Sequence, residues 1–166
     1  MGGVGLLTIR RVLMAKRLQT KYREAVHRAL ERCQFIEETL RVYLDLVIQI
    51  AKIELSPHFP VNISKEDLSK FPLGKLVNEF SRFSGDRSLR ARLKEVTPAR
   101  NHVAHQSLLF TLGELQDDAH LSKLISQMNE FEKRAKEAHE SLLDERWKLH
   151  KSLAALRRRG NRNAKA

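Results

Sequence analysis

Apolar side chains recur at alternating spacings of three and four residues along the first third of the chain. The series consists of Tyr22, Val26, Ala29, Cys33, Ile36, Leu40, Tyr43, Val47 and Ile50. This spacing places all its members on one side of an α-helix, so it predicts one long amphipathic helix. Between Leu40 and Ile53 apolar residues also fall on other faces, which predicts that this segment is the most buried part of the fold.

A second long helix is predicted toward the carboxyl end, where apolar residues follow a heptad grid that Glu145 and Ser152 interrupt. The grid consists of Leu121, Leu124, Met128, Phe131, Ala135, Ala138, Leu142, Leu149 and Leu156. The small Ala135 and Ala138 allow another helix to approach closely. Both long helices exceed what a compact domain of this size requires, so they either extend beyond the bundle or pair with a second subunit.

Proline and capping residues divide the middle of the chain into shorter helices. Pro57 ends the first long helix, and Ser64 is the predicted N-cap of a short helix, with Asp67 three residues later. A further helix is predicted over residues 73–83 and is broken by Ser84-Gly85-Asp86. Its apolar side consists of Leu76, Val77, Phe80 and Phe83.

The next helical segment starts with Asp86 as its cap and buries the apolar residues Leu89, Leu93 and Val96. Thr97 followed by Pro98 has the signature of an N-cap with proline in the first turn. At that point the sequence predicts either a new helix or a kinked continuation.

The composition agrees with an all-α protein. Among 166 residues 42% are hydrophobic and only 6% aromatic, with 7 Gly and 4 Pro, which is typical of helical bundles rather than β-sandwiches. The fold class predicted is therefore all-α, with two long helices. No stretch is long and apolar enough for a membrane span, so no membrane partner is expected. The single Cys33 excludes an intrachain disulfide, the start lacks a signal-peptide pattern, and we expect a cytoplasmic protein.

Positive charge is concentrated at the two ends of the chain. The formal net charge is +11, yet residues 24–145 contain 17 basic and 20 acidic residues. We therefore divide the chain into a basic arm at 1–20, a helical bundle at 21–156 and a disordered basic tail at 157–166. Such ends bind phosphate backbones without reading sequence, or they only solubilise the protein. The residues predicted to bind RNA are Arg10, Arg11, Arg17, Arg157, Arg158 and Arg159.

The segment Arg100-Asn101-His102-Val103-Ala104-His105 combines the side chains that phosphate chemistry requires. If a helix begins at Thr97-Pro98, its free N–H groups favour an anion there. A guanidinium can then hold the phosphate, and a histidine can move a proton at neutral pH. These are the parts of a metal-independent ribonuclease.

The geometry of one helix does not bring these side chains together. Asn101 and His105 stack on one face, whereas Arg100 and His105 lie about 140° apart around the axis. Two copies of the segment facing each other would solve this, so a symmetric homodimer is expected.

The run RNHVAH, after a long amphipathic helix and the segment LGKLVNEF, resembles the motif of the HEPN superfamily, in which a His follows an Arg after four to six residues. Arg100, Asn101 and His105 match that motif, and His102 falls in its spacer as an auxiliary group. The resemblance implies an antiparallel bundle of four to five helices that forms a homodimer, so that its two motifs line one cleft. It also implies a metal-independent endoribonuclease of toxin, phage-defence or RNA-processing systems that leaves 2′,3′-cyclic phosphate. An antitoxin or another protein partner is also implied, although Ser107 stands where subfamilies paired with a nucleotidyltransferase antitoxin often have tyrosine.

Several alternatives compete with this interpretation. The chain could be a non-catalytic HEPN-like module that binds nucleotide, RNA or a partner protein, or a helical scaffold with basic arms. Arg100 could pair with Glu95, and Asn101 with His105 where helices cross. His102 and His105 are spaced for a metal, but no carboxylate follows until Glu114, so neither metal nor cofactor is expected. The remaining five histidines, His27, His58, His120, His139 and His150, are predicted to be surface residues.

Overall fold

The computed structural model describes residues 3–55, 65–111 and 118–163, with the side chains of residues 14, 16–55, 66–105 and 118–161. Within these ranges the chain forms five α-helices and no strand, which confirms the all-α prediction. The helices are α1 (Gly3–Leu55), α2 (Lys65–Ser69), α3 (Leu73–Phe83), α4 (Arg87–Thr111) and α5 (Asp118–Asn163). At 1.5 Å per residue α1 is about 80 Å long and α5 about 70 Å.

The two long helices run in the same direction, side by side. Three contacts define their register: Arg28 Nε donates to Glu132, Thr39 meets His139, and Arg157 donates to Gln49. The partner numbers increase together along both helices, so α1 and α5 are parallel. The predicted antiparallel arrangement is therefore wrong for this pair.

Helix α4 runs antiparallel to α5. Arg92 Nη2 donates to Ser141 Oγ at 3.2 Å, while Ala99, further along α4, shares a cavity with Phe131, which lies earlier along α5. Helix α3 packs beside α1 and α4, and the rings of Tyr43 and Phe80 meet edge to face with centroids 4.8 Å apart.

The predicted apolar stripe of α1 forms the centre of the core. Every member from Tyr22 to Tyr43 is buried. The expectation that Leu40 to Ile53 is the most buried segment is wrong, because Val47 and Ile50 are only half buried and Ile53 is 42% exposed. At this level Gln49 of α1 accepts a hydrogen bond from Arg157 of α5. The all-round apolar pattern of this end of α1 therefore does not correspond to complete burial.

The turn between α3 and α4 forms as its sequence predicted. The Ser84 N–H donates to the Phe80 carbonyl oxygen at 2.9 Å and closes α3. Asp86 Oδ1 accepts the N–H of Leu89 at 2.9 Å, which satisfies one of the free donors at the start of α4. One detail of α3 is corrected, since Phe83 is 54% exposed and not part of the buried side. Ser64, the predicted cap of α2, lies outside the described residues.

Helix α4 continues through Pro98. The sequence left open whether a new helix begins there or the helix continues, and the structure shows that it continues. Thr97 lies inside the helix, and its buried Oγ1 has no hydrogen-bond partner among the residues described, so it is not a cap. A proline in a helix interior costs about 3 kcal/mol. Burial of Val96 and Val103 on either side offsets this cost and holds the helix together.

The heptad grid of α5 is confirmed at its buried positions, with Ala135, Ala138 and Leu142 inaccessible to solvent. After Leu142 the next buried residue is Leu153, which follows the grid position of Ser152 by one residue. The buried side of α5 is therefore shifted by one residue relative to the grid in this part of the helix. The helix extends to Asn163, which corrects the prediction of disorder for residues 157–163. The three arginines at 157–159 favour a helix, whereas Gly160 and Asn161 do not, and residues 157–161 are exposed. None of the helices in the described ranges is long and apolar enough to cross a membrane.

Candidate functional site

The motif from Arg100 to His105 lies in the interior of α4, which begins at Arg87. Backbone N–H groups at such positions donate within the helix and cannot bind an anion. The prediction of an anion site at a helix N-terminus is therefore wrong. Any anion held here must be bound by side chains.

The side chains of the motif divide between the core and the surface. Val103 is buried at 2% exposure and fixes the rotation of this part of α4, so that Asn101 and His105 point to the opposite side. Arg100, Asn101, His102 and His105 are all exposed. The polar residues of the motif are thus presented to solvent on a helix that the core holds in place.

Arg100 reaches around the helix toward the outward face. Its Nη1 donates to Asn101 Oδ1 at 3.3 Å. This contact partly closes the angular gap that the helical geometry left between Arg100 and His105. It places the guanidinium beside Asn101, which shares a face of α4 with His105.

The stem of Arg100 starts at the edge of α4 that faces α1. Burial raises the pKa of the Cys33 thiol to about 12, and the nearby Arg100 guanidinium works against this rise while Glu37 adds to it. The buried thiol is therefore protonated at neutral pH and is not a nucleophile. Its contribution is packing, as its place in the apolar series predicted.

The structural alternatives for the motif are not observed in the described part of the chain. Arg100 makes no ion pair with Glu95 there, and Asn101 and His105 are exposed rather than paired where helices cross. His102 and His105 belong to no group of three or more metal-ligating side chains among the residues described. Within the described residues, the four polar side chains of the motif are exposed and do not belong to the buried core.

A cavity of about 220 Å³ lies between α4 and α5, one turn before the motif. It is lined by Arg92, Glu95, Val96, Ala99, Phe131, Arg134 and Glu137. Two arginines and two glutamates balance each other around an apolar floor, so the cavity itself attracts neither sign of charge. Arg92 is held by its hydrogen bond to Ser141, and its buried Nε has no partner in the described structure.

The basic residues predicted to bind RNA are not brought to the motif. Arg157 is level with Gln49 of α1, whereas Arg100 is level with Cys33, and these levels are about 24 Å apart along the helix. Arg17, Arg158 and Arg159 are exposed, and Arg157 Nη2 donates to Gln49 Oε1 at 2.8 Å. The side chains of Arg10 and Arg11 lie outside the described residues. Among the described residues, Arg157 and the motif therefore lie on separate parts of the surface.

His139 is a polar residue of the helix interface that the sequence did not reveal. Its Nε2 lies 3.0 Å from Oγ1 of the buried Thr39, and its ring stacks on Phe35 with centroids 5.9 Å apart. Burial lowers the pKa of His139, and the positive charges of Arg32 and Arg146 lower it further. The prediction that His139 is a surface residue is wrong. The only sequence feature that could have indicated this position in the interface is that His139 directly follows Ala138 of the α5 grid.

Trp147 forms a second group that the sequence pattern did not single out. It lies off the heptad grid between Arg146 and Lys148, and it stacks on His150. The sequence feature that could have singled it out is a lone tryptophan outside the apolar pattern of a basic helix.

Comparisons of the chain with protein-family models, with curated proteins and with solved structures find no match. The function must therefore be inferred from the residues and their geometry.

Proposed function

We propose that the protein is a metal-independent endoribonuclease of HEPN type that acts as a homodimer. The observation that carries this proposal is the exposed cluster of Arg100, Asn101 and His105, joined by the hydrogen bond from Arg100 to Asn101. A guanidinium, an amide and an imidazole on one outward face supply phosphate binding, orientation and proton transfer.

In the proposed reaction the 2′-oxygen of a ribose attacks the adjacent phosphorus, and the bond to the 5′-oxygen of the next nucleotide breaks. The 2′-hydroxyl loses its proton to a base, and the leaving 5′-oxygen gains one from an acid. His105 fills one of these roles, since histidine is the side chain that most often transfers protons in enzymes. Arg100 stabilises the extra negative charge on the phosphorane, Asn101 orients the guanidinium, and His102 is an auxiliary group.

A second subunit would complete the proton transfers. One His105 per cleft can serve as base or as acid but not as both in the same step. A two-fold axis beside the outward face of α4 would bring a second Arg100 and His105 into the same cleft. The exposure of Asn101 and His105 leaves this face open for such a partner.

The test is an RNA-cleavage assay with matched variants. Single-stranded RNA should be cleaved in the presence of EDTA, and the 5′ fragments should end in 2′,3′-cyclic phosphate or its hydrolysis product. Arg100→Ala and His105→Ala should each lower the rate at least about 100-fold, the usual size of acid–base and electrostatic terms. His27→Ala removes another exposed histidine, on α1, and should leave the rate unchanged.

Two results would contradict the mechanism. Cleavage of DNA at the same rate would exclude a 2′-hydroxyl nucleophile. RNA binding by the folded protein without any cleavage would favour the alternative, a non-catalytic HEPN-like binding module.

A further inference from the structure

Trp147 is the only tryptophan of the chain, and 56% of it is exposed on α5. The buried Leu142 and Leu153 lie on the other side of the helix, where α5 meets the rest of the bundle. The indole therefore contributes little to the core. An isolated exposed aromatic residue is ordinary, so its neighbours decide whether it has a role.

Two neighbours lie against the ring of Trp147, since His150 stacks on the indole and the Lys151 ammonium lies over it. The His150 ring stacks on the indole with centroids 5.6 Å apart and an angle of 8° between the planes. Lys151 Nζ lies 5.4 Å from the centroid of the indole. The stack holds the indole in one orientation, while the flexible lysine can move aside for a ligand.

Charge around this surface changes sign along the helix. Asp144 and Glu145 precede Trp147, and Glu145 pairs with Lys148 at 2.6 Å, but from Arg146 to the last residue of the sequence no acidic residue occurs. Arg158 lies seven residues after Lys151, two turns further along the same face, and is exposed. It makes no ion pair within the described part of the chain. A polyanion would therefore lie from Trp147 toward the carboxyl end of α5.

We infer that Trp147, His150, Lys151 and Arg158 form a binding face for single-stranded RNA, with one base stacked on Trp147 and phosphates bound by Lys151 and Arg158. Aromatic platforms beside cations are how proteins hold unpaired strands, because every base offers a π-face and every phosphate a charge. The choice of RNA over single-stranded DNA rests on the proposed function. The binding face itself does not, since it uses none of the motif residues.

An anionic membrane fits this face less well. Helices that lie on membranes bury a broad apolar face, whereas here Ala154 is the only other apolar residue between Lys151 and Arg158 on the side of Trp147. A duplex also fits poorly, because its bases are already stacked on each other.

Tryptophan fluorescence gives a direct readout, because the full-length chain contains one indole. The His105→Ala variant, which should not degrade the probe, is titrated with a twelve-nucleotide oligouridylate. Saturable quenching is expected. A duplex RNA of the same length and vesicles of phosphatidylcholine with phosphatidylserine should produce little change at the same salt concentration.

Affinity measured with labelled oligouridylate separates stacking from charge. Trp147→Leu should weaken binding about 5- to 150-fold, the range expected for one base stacked on an aromatic ring. Trp147→Phe should retain most of the affinity, and Phe83→Leu, which removes an exposed aromatic residue of α3, should have no effect. Far-UV circular dichroism checks that each variant is folded.

The inference is overturned if oligouridylate leaves the emission unchanged, if the Trp147→Leu variant binds as well as its parent, or if duplex or vesicles quench as strongly as the single strand. None of these readouts depends on cleavage. Failure of the cleavage assay with intact quenching would refute the proposed reaction and leave the binding face in place.

Discussion

Acidification should destabilise the fold through His139, which lies half buried between α1 and α5 beside Thr39. Burial, Arg32 and Arg146 lower the pKa of this imidazole below its ordinary value of 6.5. Below pH 6.5 the unfolded chain then binds more protons at this residue than the folded chain does. The contribution of His139 to the free energy of unfolding is therefore fully present above pH 6.5 and is lost as the pH decreases through the lowered pKa.

The size of the effect follows from one proton and its partial exposure to solvent. A single titrating group changes the free energy of unfolding by at most about 1.4 kcal/mol per pH unit. Solvent screening of the half-buried ring reduces the expected slope to a few tenths of this limit. Thr39→Val should lower the free energy of unfolding by about 0.5 to 1.5 kcal/mol at neutral pH, because it removes the hydroxyl that forms the 3.0 Å hydrogen bond with His139.

The assay is urea unfolding followed by far-UV circular dichroism between pH 5 and 8, at fixed protein concentration and ionic strength. His139→Gln is the control, since glutamine can bond to Thr39 but does not titrate. Wild type should lose stability below pH 6.5 more steeply than this variant. Identical pH profiles of the two proteins, or a wild type that gains stability in acid, would refute the reasoning.

Three further outcomes follow from the packing and the charge distribution. Pro98→Ala should stabilise the fold by up to about 3 kcal/mol in urea unfolding, because it restores a backbone donor inside α4, and an unchanged midpoint would show that the helix is already relaxed around the proline. Leu142→Ala should cost about 2 to 5 kcal/mol in the same assay, since the side chain is fully buried, and a cost below about 1 kcal/mol would place it outside the core. Replacing Arg158 and Arg159 by Gln should weaken the salt dependence of oligouridylate binding. The slope of log affinity against log salt concentration should decrease by about 0.7 for each phosphate that the variant no longer neutralises. An unchanged slope would show that the tail only keeps the protein in solution.

Most of the helices could be predicted, because a helix that packs on a core must carry its apolar residues on one side, and this requirement appears in the sequence as a spacing of three and four residues. The stripe from Tyr22 to Tyr43 and the grid around Ala138 are buried as their spacing indicated. The parallel direction of α1 and α5 could not be predicted, since a stripe states which side of a helix is buried and not which neighbour covers it. The half-buried end of α1 at Ile50 differs from expectation for the same reason.

Local signals were ambiguous where tertiary packing decided between two outcomes. Thr97-Pro98 resembles a helix start, but burial of Val96 and Val103 carries the helix through it. The motif therefore lies in a helix interior, where the expected anion site does not form. Side-chain exposure at Asn101 and His105 agrees with the predicted face, whereas the contact between His139 and Thr39 joins residues 100 positions apart that no local pattern connects.

The central claim is a cleft built from two copies of the motif, and subunit mixing tests it most directly. Wild type is unfolded and refolded together with a large excess of His105→Ala, so that most wild-type chains pair with a variant chain. Such a mixed dimer keeps one His105 where the cleft needs two, so RNA cleavage per wild-type chain should fall in proportion to the wild-type fraction, whereas wild type refolded alone stays active. Cleavage that depends only on the amount of wild-type chain, whatever the excess of variant, would contradict the composite cleft.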